Sequence, residues 1–218
     1  MTNRASVVLA FDHPVLRAGL KAILMGEPFE VVAESTNLVE MAADCRTFQP
    51  QLLVTDNILD SKDVFDILAQ LPGLSPSTRT VILSVAPEPI WIARSIAWGA
   101  HDFLLRSASR EEILTSLQRA RDGIRPPEGS RWAKTLASMQ RRTDFPKTIP
   151  AMTGREMQTV RLLAFGLSNQ EIARTIQVKL ETAKEHVLNA MRKLDVADRT
   201  QAAVLAIQNG WLNESNKS

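Results

Sequence analysis

The 218-residue chain contains one cysteine and three histidines, and no apolar run approaches the length of a membrane span. Because Cys45 has no second cysteine to pair with, an internal disulfide is excluded, and such cysteine usage suits a reducing compartment. The N-terminus also lacks the basic segment and apolar stretch of a secretory signal peptide. We therefore expect a cytoplasmic protein that does not enter membranes.

Common catalytic motifs are also missing. The sequence has no glycine-rich phosphate-binding loop, no metal-binding Cys/His cluster and no plausible nucleophile–base pair among its histidines. These absences predict a protein that is not an enzyme.

The charge of the chain is small but unevenly distributed. Residues 1–120 carry net charge −4 with 10 basic and 14 acidic side chains, residues 121–147 carry +4 with 7 and 3, and residues 148–218 carry +2 with 9 and 7. A basic excess of this size implies that binding to a polyanion depends on a few well-placed contacts or on a second copy of the chain.

The segment from Leu167 to Leu194 predicts two short helices joined by a tight turn. At about 100° per residue, the second helix, Glu181–Leu194, has an apolar stripe that should pack on the helix before it. Its opposite face is polar apart from one leucine, an arrangement suited to base edges and phosphates in a DNA groove, although an ordinary amphipathic helix is the alternative. The stripe is Ala183, Val187, Ala190 and Leu194; the outer face is Glu185, Leu188, Asn189 and Arg192, flanked by Lys184, His186 and Lys193.

Capping signals surround this pair of helices. Thr153-x-x-Glu156 and Ser168-x-x-Glu171 are capping boxes, Gly166 is a helix stop, and Asp198-x-x-Gln201 opens a further helix that extends to Asn209. The pattern predicts an all-α module of four short helices with a tightly packed core.

These residues resemble the DNA-binding domain of the LuxR/NarL family of bacterial response regulators over about 60 residues. The matching motifs are the T-x-R-E start at 153–156, the turn region at 166–173, the segment at 182–187, Lys193-Leu194 and the run at 198–202. The resemblance implies binding to double-stranded DNA by a homodimer. By position, the resemblance implies that Lys184, Glu185 and Leu188 face the bases and that His186 faces the DNA backbone. The basic side chains of Lys184, Arg192 and Lys193 suit phosphate contacts by their chemistry alone, and Thr182 is a further candidate DNA contact. Two positions depart from the family pattern: Ala183 stands where valine is usual, and Gln170 stands where a lysine that contacts phosphate is frequent.

The N-terminal half follows a different pattern. Short β-branched apolar runs alternate with helical periodicity, which predicts a doubly wound five-stranded parallel sheet with helices on both faces. The predicted strands are 6–10, 29–33, 52–55, 80–84 and 102–105; the predicted helices are 15–25, 38–48, 64–71, 89–97 and 110–121, the last capped by Ser109-x-x-Glu112.

Polar side chains gather where these strands end. Asp12 follows the first strand, Asp56 the third, Ser84 ends the fourth and Arg106 follows the fifth. Because the carboxyl ends of parallel strands share one edge of a sheet, these residues should converge there. Two carboxylates, a hydroxyl and a cation suit a metal ion and a phosphoryl group, although solvated strand-end carboxylates are the alternative.

Residues 5–122 resemble a response-regulator receiver domain of flavodoxin-like fold, in the segments AFDHPVLRAGL, LLVTDNIL, VILSV and GAHDFLLRSAS. The resemblance implies that Asp56 is the phosphoacceptor, Asp12 and Asp56 are metal ligands, Ser84 is the switch hydroxyl and Phe103 the switch aromatic. It also implies a sensor histidine kinase as a partner.

The departures from the receiver pattern fall in this pocket. Phe11 replaces the first of two adjacent acids, and Arg106 replaces a lysine that contacts the phosphoryl group. Losing a carboxylate weakens an octahedral Mg²⁺ site, and a planar guanidinium does not substitute directly for an ammonium. Two hypotheses remain: a working receiver with reduced Mg²⁺ affinity, or an atypical receiver that acts without phosphorylation.

These observations predict three segments: a receiver-like domain at 1–122, a linker at 123–150 and a helix-turn-helix domain at 151–218. Prolines and glycines interrupt the linker, and the apolar spacing of Trp132, Leu136 and Met139 predicts a short helix within it, with a disordered basic linker as the alternative. The predicted function is a DNA-binding transcriptional regulator of the response-regulator type. The alternative is an adaptor that binds another protein.

Overall fold

A computed structural model describes residues 4–86, 88–140, 152–209 and 211. The side chain of Met139 and residues 141–151 lie outside the described part, so only Trp132 and Leu136 of the predicted linker pattern are described. In chain order the elements are β1 (Ala5–Ala10), α1 (Pro14–Leu24), β2 (Phe29–Ser35), α2 (Leu38–Phe48), β3 (Leu52–Thr55), β4 (Ile58–Leu59), β5 (Lys62–Asp63), α3 (Phe65–Leu74), β6 (Arg79–Ser84), α4 (Pro89–Ala97), β7 (Asp102–Leu105), α5 (Arg110–Asp122), α6 (Arg131–Gln140), α7 (Gly154–Ala164), α8 (Asn169–Thr175), α9 (Leu180–Lys193) and α10 (Arg199–Gln208).

The elements form two compact units. The N-terminal unit comprises the described residues within Met1–Pro87 and Trp98–Trp132. The C-terminal unit comprises those within Glu88–Ala97 and Ala133–Ser218, so α4 belongs by its contacts to the helices that follow the linker.

The N-terminal unit is built on the predicted five-stranded parallel sheet, with strand order β2-β1-β3-β6-β7. The fold class is therefore confirmed. Helices α1 and α5 pack on one face, and α2 and α3 lie on the other. Because helices cover both faces, the strands are apolar along their length rather than alternating. The core on the α1/α5 side includes Val7, Leu9, Phe11, Leu20, Leu52, Val54, Val81, Leu83, Ile113 and Leu117.

A two-stranded antiparallel hairpin, β4–β5, follows the central strand β3. Its turn residues Asp60 and Ser61 have φ of 50° and 60°, as the tight turns that match strand twist require. Sequence patterns did not predict it, because two-residue strands are too short to show an alternation.

The C-terminal unit confirms the predicted capping. Thr153 and Glu156 form a complete capping box at α7, and Ser168 and Glu171 form another at α8. The side chain of Asp198 accepts a hydrogen bond of 2.8 Å from the backbone N–H of Gln201 at the start of α10. Two apolar clusters hold these helices together, one around α7, α9 and α10 and one around α7, α8 and α9.

Helix α4 completes the larger of these clusters. Ile90 is 1% exposed and packs among side chains of α7, α9 and α10. Trp91 lies so close to Gly166 that a Cβ on this glycine would fall 2.9 Å from the indole ring. Arg94 places its guanidinium carbon 5.4 Å from the centre of the Trp91 ring and 5.5 Å from that of Phe165. Attraction between a cation and aromatic faces therefore adds to the apolar packing of α4.

Cys45 is buried on α2. Burial and, secondarily, the charge of Asp44 raise the pKa of its thiol to about 12. The predicted role as a small apolar core residue fits this position. Among the helices of the described residues, none combines the length and apolarity that a membrane span requires.

A buried carboxylate lies at the start of β7. Asp102 is 7% exposed, and burial raises its pKa although two hydrogen bonds oppose the shift. One carboxylate oxygen accepts a bond of 2.6 Å from the Ser116 hydroxyl on α5, and the other accepts a bond of 2.7 Å from the Phe103 N–H. This contact joins α5 to the edge of the sheet.

Replacing Ser116 by alanine is expected to lower the free energy of unfolding by about 1–3 kcal/mol, because a buried carboxylate oxygen loses its donor. Urea denaturation followed by circular dichroism measures the change. Ser107→Ala, at an exposed position of the same unit, is the matched control and should leave stability within about 0.5 kcal/mol of the wild type. Equal stability of the two variants would contradict the role given to this bond.

Candidate functional site

Helix α9 has one buried and one exposed face. The predicted apolar stripe of Ala183, Val187, Ala190 and Leu194 is buried against the neighbouring helices. The opposite face is exposed and includes Leu188, whose side chain is 51% exposed. The other exposed members are Glu181, Lys184, Glu185, Asn189 and Arg192, and Thr182, His186 and Lys193 are half-buried at its edges.

The turn before α9 is set by backbone geometry. Gln177 has φ of 55°, and the Val178 N–H donates a hydrogen bond of 3.0 Å to the Ala173 carbonyl of α8. This reversal lets α8 and α9 share one apolar cluster while the polar face of α9 remains open. The result is the helix-turn-helix arrangement that the sequence predicted.

Two ion pairs involve predicted DNA contacts. Lys184 Nζ lies 2.8 Å from Glu181 Oε1, one turn earlier on α9, and this exposed pair contributes little to stability. Lys193 Nζ lies 2.7 Å from Oε2 of Glu156, the capping-box residue of α7. Lys193 therefore ties the end of α9 to the start of α7. Within the described residues, no ion pair joins Glu185 to Arg192.

A further arginine fixes the helix-turn-helix from outside. Arg199, the first residue of α10, donates a hydrogen bond of 2.6 Å to the carbonyl of Leu167, immediately before the α8 cap. A carbonyl before a helix has no partner in that helix, so the guanidinium satisfies it and holds α8 to α10. Arg199 lies in the motif used for the family resemblance, but spacing alone did not indicate this bond.

The strand-end pocket of the N-terminal unit is centred on Asp56. Its side chain is buried, and Arg106 donates a charge-assisted hydrogen bond to Oδ2 while the Asn57 N–H donates to Oδ1 at 2.8 Å. Burial raises the pKa of Asp56, and the charge of Arg106 opposes this rise without cancelling it. Both carboxylate oxygens therefore already have a donor.

The other acid of the pocket, Asp12, lies at its rim. It is partly exposed and bonded to the His13 ring; burial acts to raise the pKa of Asp12, but the bond and the charge of His13 outweigh it and lower the pKa. The charge of Arg106 adds a smaller lowering of the pKa of Asp12. Phe11 is fully buried, and its carbonyl accepts a hydrogen bond from Arg17 of α1.

The remaining predicted pocket residues surround this pair. The Ser84 hydroxyl donates a hydrogen bond of 2.7 Å to the Asn57 side-chain oxygen, and the backbone N–H of Arg106 donates to the Ser84 carbonyl at 2.8 Å. Phe103 is buried in β7. The structure therefore brings Asp56, Ser84 and Arg106 together at one sheet edge. Asn57 also belongs to this pocket, although no sequence motif indicated it.

The donor set of this pocket fits a divalent cation poorly. Mg²⁺ favours six oxygen ligands in an octahedron. Phe11 brings no carboxylate, both Asp56 oxygens accept hydrogen bonds, and the Phe11 carbonyl is taken by Arg17. Across the described ranges, no group of three acidic, histidine or cysteine side chains is placed to hold a metal.

Two protein families match the chain. The family described as "Response regulator receiver domain" matches residues 7–118, and "Bacterial regulatory proteins, luxR family" matches residues 150–206. The first match covers more than half of the chain and contains the pocket. The second contains the capped helices and α9.

Relatives and solved structures match this chain along nearly its whole length. "Response regulator protein VraR" of Staphylococcus aureus is 29% identical over 207 residues, covering 94% of this chain and 98% of that protein. RcsB from Salmonella enterica serovar Typhimurium, solved bound to promoter P1flhDC, is similar in fold with TM-score 0.61 and 20% identity, covering 94% of this chain and 98% of that one. The response regulator ChrA of a heme-sensing two-component system matches with TM-score 0.51 and 28% identity, covering 96% of this chain and 99% of that one.

Acid is expected to weaken the tie between α7 and α9. The hydrogen bonds from Lys193 and from the Thr153 backbone lower the pKa of Glu156 from 4.5 to about 2. A lowered carboxyl pKa stabilises the folded state above the unfolded pKa, and this stabilisation is lost as the pH falls from about 4.5 to about 2. The thermal midpoint of the wild type should therefore exceed that of Glu156→Gln near neutral pH, and the difference should shrink on acidification.

Glutamine keeps the side-chain oxygen that caps α7, so this variant removes mainly the charge opposite Lys193. Glu185→Gln, at an exposed position of α9, is the matched control and should show no such pH-dependent difference. Thermal melts of the three proteins at about pH 6 and about pH 2.5 provide the comparison. A constant gap between wild type and Glu156→Gln at both pH values would contradict the assignment.

Proposed function

The chain belongs to the response regulators, with a receiver domain followed by a luxR-type regulatory domain, and from this premise we propose that the exposed face of α9 reads bases in duplex DNA. Response regulators of this kind are DNA-binding regulators of transcription and not a class of enzymes. Nothing in the geometry of the described residues favours the adaptor alternative.

The observation that carries this proposal is Leu188. Leu188 is 51% exposed, and its neighbours on this face of α9 are charged or polar. Contact with water does not stabilise an apolar side chain, so its exposure here is unfavourable unless a ligand covers it. In the major groove, an apolar side chain can contact the methyl group of thymine. Glu185, one turn earlier and also exposed, can accept a hydrogen bond from the N4 amino group of cytosine.

The remaining residues of this face are placed to contact the phosphate backbone of DNA. Arg192 is exposed with no ion pair in the described residues, so it is available to a phosphate. Lys184 can exchange its exposed pair with Glu181 for a base or a phosphate at little cost. His186 and Thr182 at the edges complete the set. Lys193 is held by Glu156, so we assign it a smaller share of phosphate binding.

We further propose that the protein binds DNA as a homodimer in the cytoplasm. Helix-turn-helix proteins commonly read two-fold-related half-sites, and a C-terminal part with net charge +2 makes a single copy a weak binder. The α10 region and the receiver domain are the two candidate dimer surfaces. A sensor histidine kinase is the upstream partner expected from the family.

For the receiver, we propose that Asp56 is a phosphoacceptor of low reactivity. Hydrogen bonds make a carboxylate oxygen less nucleophilic toward phosphorus, and each oxygen of Asp56 accepts one, from Arg106 and from the Asn57 N–H. The poor donor set also argues that Mg²⁺ binds weakly. These features support regulation that depends little on phosphorylation.

Replacing Glu185 by alanine is expected to relax a preference for cytosine at one position of the binding site. The discrimination against the wrong base should fall by about 1–3 kcal/mol. Nonspecific affinity should rise, because the substitution removes a negative charge from the protein surface that faces the DNA phosphates. Binding-site selection with purified full-length protein measures both effects. Leu188→Ala should relax a nearby preference for thymine in the same assay.

Arg192→Ala provides the matched control for this experiment. A phosphate contact carries no sequence information, so this variant should weaken all sites alike and reduce the salt dependence of binding by about one unit of slope. If Glu185→Ala retains the wild-type preference at every position, Glu185 does not read bases.

Acetyl phosphate is expected to label Asp56 slowly or not at all in the presence of Mg²⁺. Mass measurement of the intact protein follows the addition of one phosphoryl group, and Asp56→Asn is the control that cannot accept it. Arg106→Lys should label faster than the wild type, because it restores the lysine that the receiver pattern places at this position to contact the phosphoryl group. Rapid stoichiometric labelling of the wild type, absent in Asp56→Asn, would overturn the proposal.

A further inference from the structure

A cavity lies between α1 and α5 in the N-terminal unit. We propose that this cavity binds a small amphipathic carboxylate, whose apolar body lies between the two helices and whose carboxylate contacts Arg106. The proposal concerns the N-terminal unit alone, so it does not rest on the reading of DNA by α9.

The size and the lining of the cavity suit a small molecule. Its volume is about 350 Å³. Most of its wall is formed by apolar side chains of α1, β6 and α5, namely Leu16, Leu20, Ile23, Leu83 and Ile113. Small-molecule sites in proteins have volumes of roughly 300–1,000 Å³ and are mostly apolar, with a few polar groups that orient the ligand. This cavity therefore suits a ligand at the small end of that range.

The polar part of the wall lies at one end. His13 and Arg106 follow the carboxyl ends of β1 and β7, whereas Ile23 lies near the opposite end of α1. Among the described residues that line the cavity, none is acidic. A ligand with an apolar body and a single anionic end matches this distribution, because the anion meets a guanidinium while the body meets aliphatic side chains.

Arg106 has an unused hydrogen-bond donor. One of its terminal nitrogens donates to Asp56, but its Nε is buried and has no acceptor among the described residues. Buried donors in proteins nearly always have a partner. The side chain is 22% exposed, so a solute can reach the guanidinium, whose planar fork can bind a carboxylate through two N–H groups. A ligand would then share Arg106 with Asp56, and its binding would be linked to the state of that carboxylate.

Gly19 keeps the cavity open on the side of α1. This glycine lies inside the helix, its φ is not positive, and a Cβ added to it would meet no atom within 4 Å. Glycine is less favourable than alanine in the interior of a helix. Neither the backbone conformation nor the packing requires glycine here, whereas a side chain at this position would narrow a binding site.

The test uses octanoate as the probe and methyl NMR spectra of the full-length chain without DNA. Octanoate should shift the methyl signals of Leu20, Ile23 and Ile113 in a saturable way, with a dissociation constant of about 1 mM or below for a ligand of about ten non-hydrogen atoms. Octanol, which has the same chain without the charge, should bind about tenfold more weakly, because it loses a charge-assisted hydrogen bond. Octylammonium should bind more weakly still, since its charge is repelled by Arg106.

Two variants locate the parts of the site. Gly19→Leu fills the cavity and should abolish the octanoate shifts. Ala18→Leu adds the same side chain at an exposed neighbouring position that does not line the cavity, and it should leave them unchanged. Arg106→Gln should weaken octanoate about tenfold and leave octanol unaffected, because only the carboxylate needs the guanidinium.

Dispersed methyl signals establish that each variant is folded. The proposal is overturned if octanoate gives no saturable shifts, if octanol or octylammonium binds as tightly as octanoate, or if folded Gly19→Leu still binds. Shifts of the same methyls on dilution of the protein without octanoate would place a second copy of the chain in the cavity and would also overturn it. If Arg106→Gln does not fold, the comparison of octanoate with octanol on the wild type decides the head-group contact.

Discussion

The pocket of this protein is organised by the need to neutralise a carboxylate buried at the end of a parallel sheet. An ionised aspartate removed from water is unfavourable unless charge and hydrogen bonds compensate. Asp56 meets this requirement inside the protein, through Arg106 from the end of β7 and the backbone of Asn57. The strands β3, β6 and β7 therefore meet around a pair of charges that the chain itself supplies.

The C-terminal unit is a small helical module that holds one helix, α9, in a fixed orientation. Its core is limited, so the ends of its helices carry much of the specificity. Glu156 caps α7 and also holds Lys193 at the end of α9, and Arg199 joins α10 to the residue before α8. These contacts fix where α9 begins and ends, while its outer face makes no contribution to the core.

The parts of this structure that could be predicted are those governed by local rules. The bounds of α2, α4, β3 and β7 follow from apolar periodicity, the starts of α5, α7 and α8 follow from capping residues, and the buried stripe of α9 follows from helical spacing. Sequence patterns did not reveal the β4–β5 hairpin, the bond between Arg106 and Asp56, the tie between Lys193 and Glu156, or the packing of α4. Each of these depends on residues brought together by the fold, where spacing along the chain carries no signal.

Cys45 has a practical consequence for anyone who wishes to observe this protein in motion. Thiol reagents attack the thiolate, and a buried thiol with a pKa of about 12 is almost entirely protonated at neutral pH. Because the chain has no other cysteine, we expect the native protein to react very slowly with maleimide dyes. One cysteine introduced on the surface would thus accept a fluorophore or spin label selectively, with no need to remove a native thiol from the core.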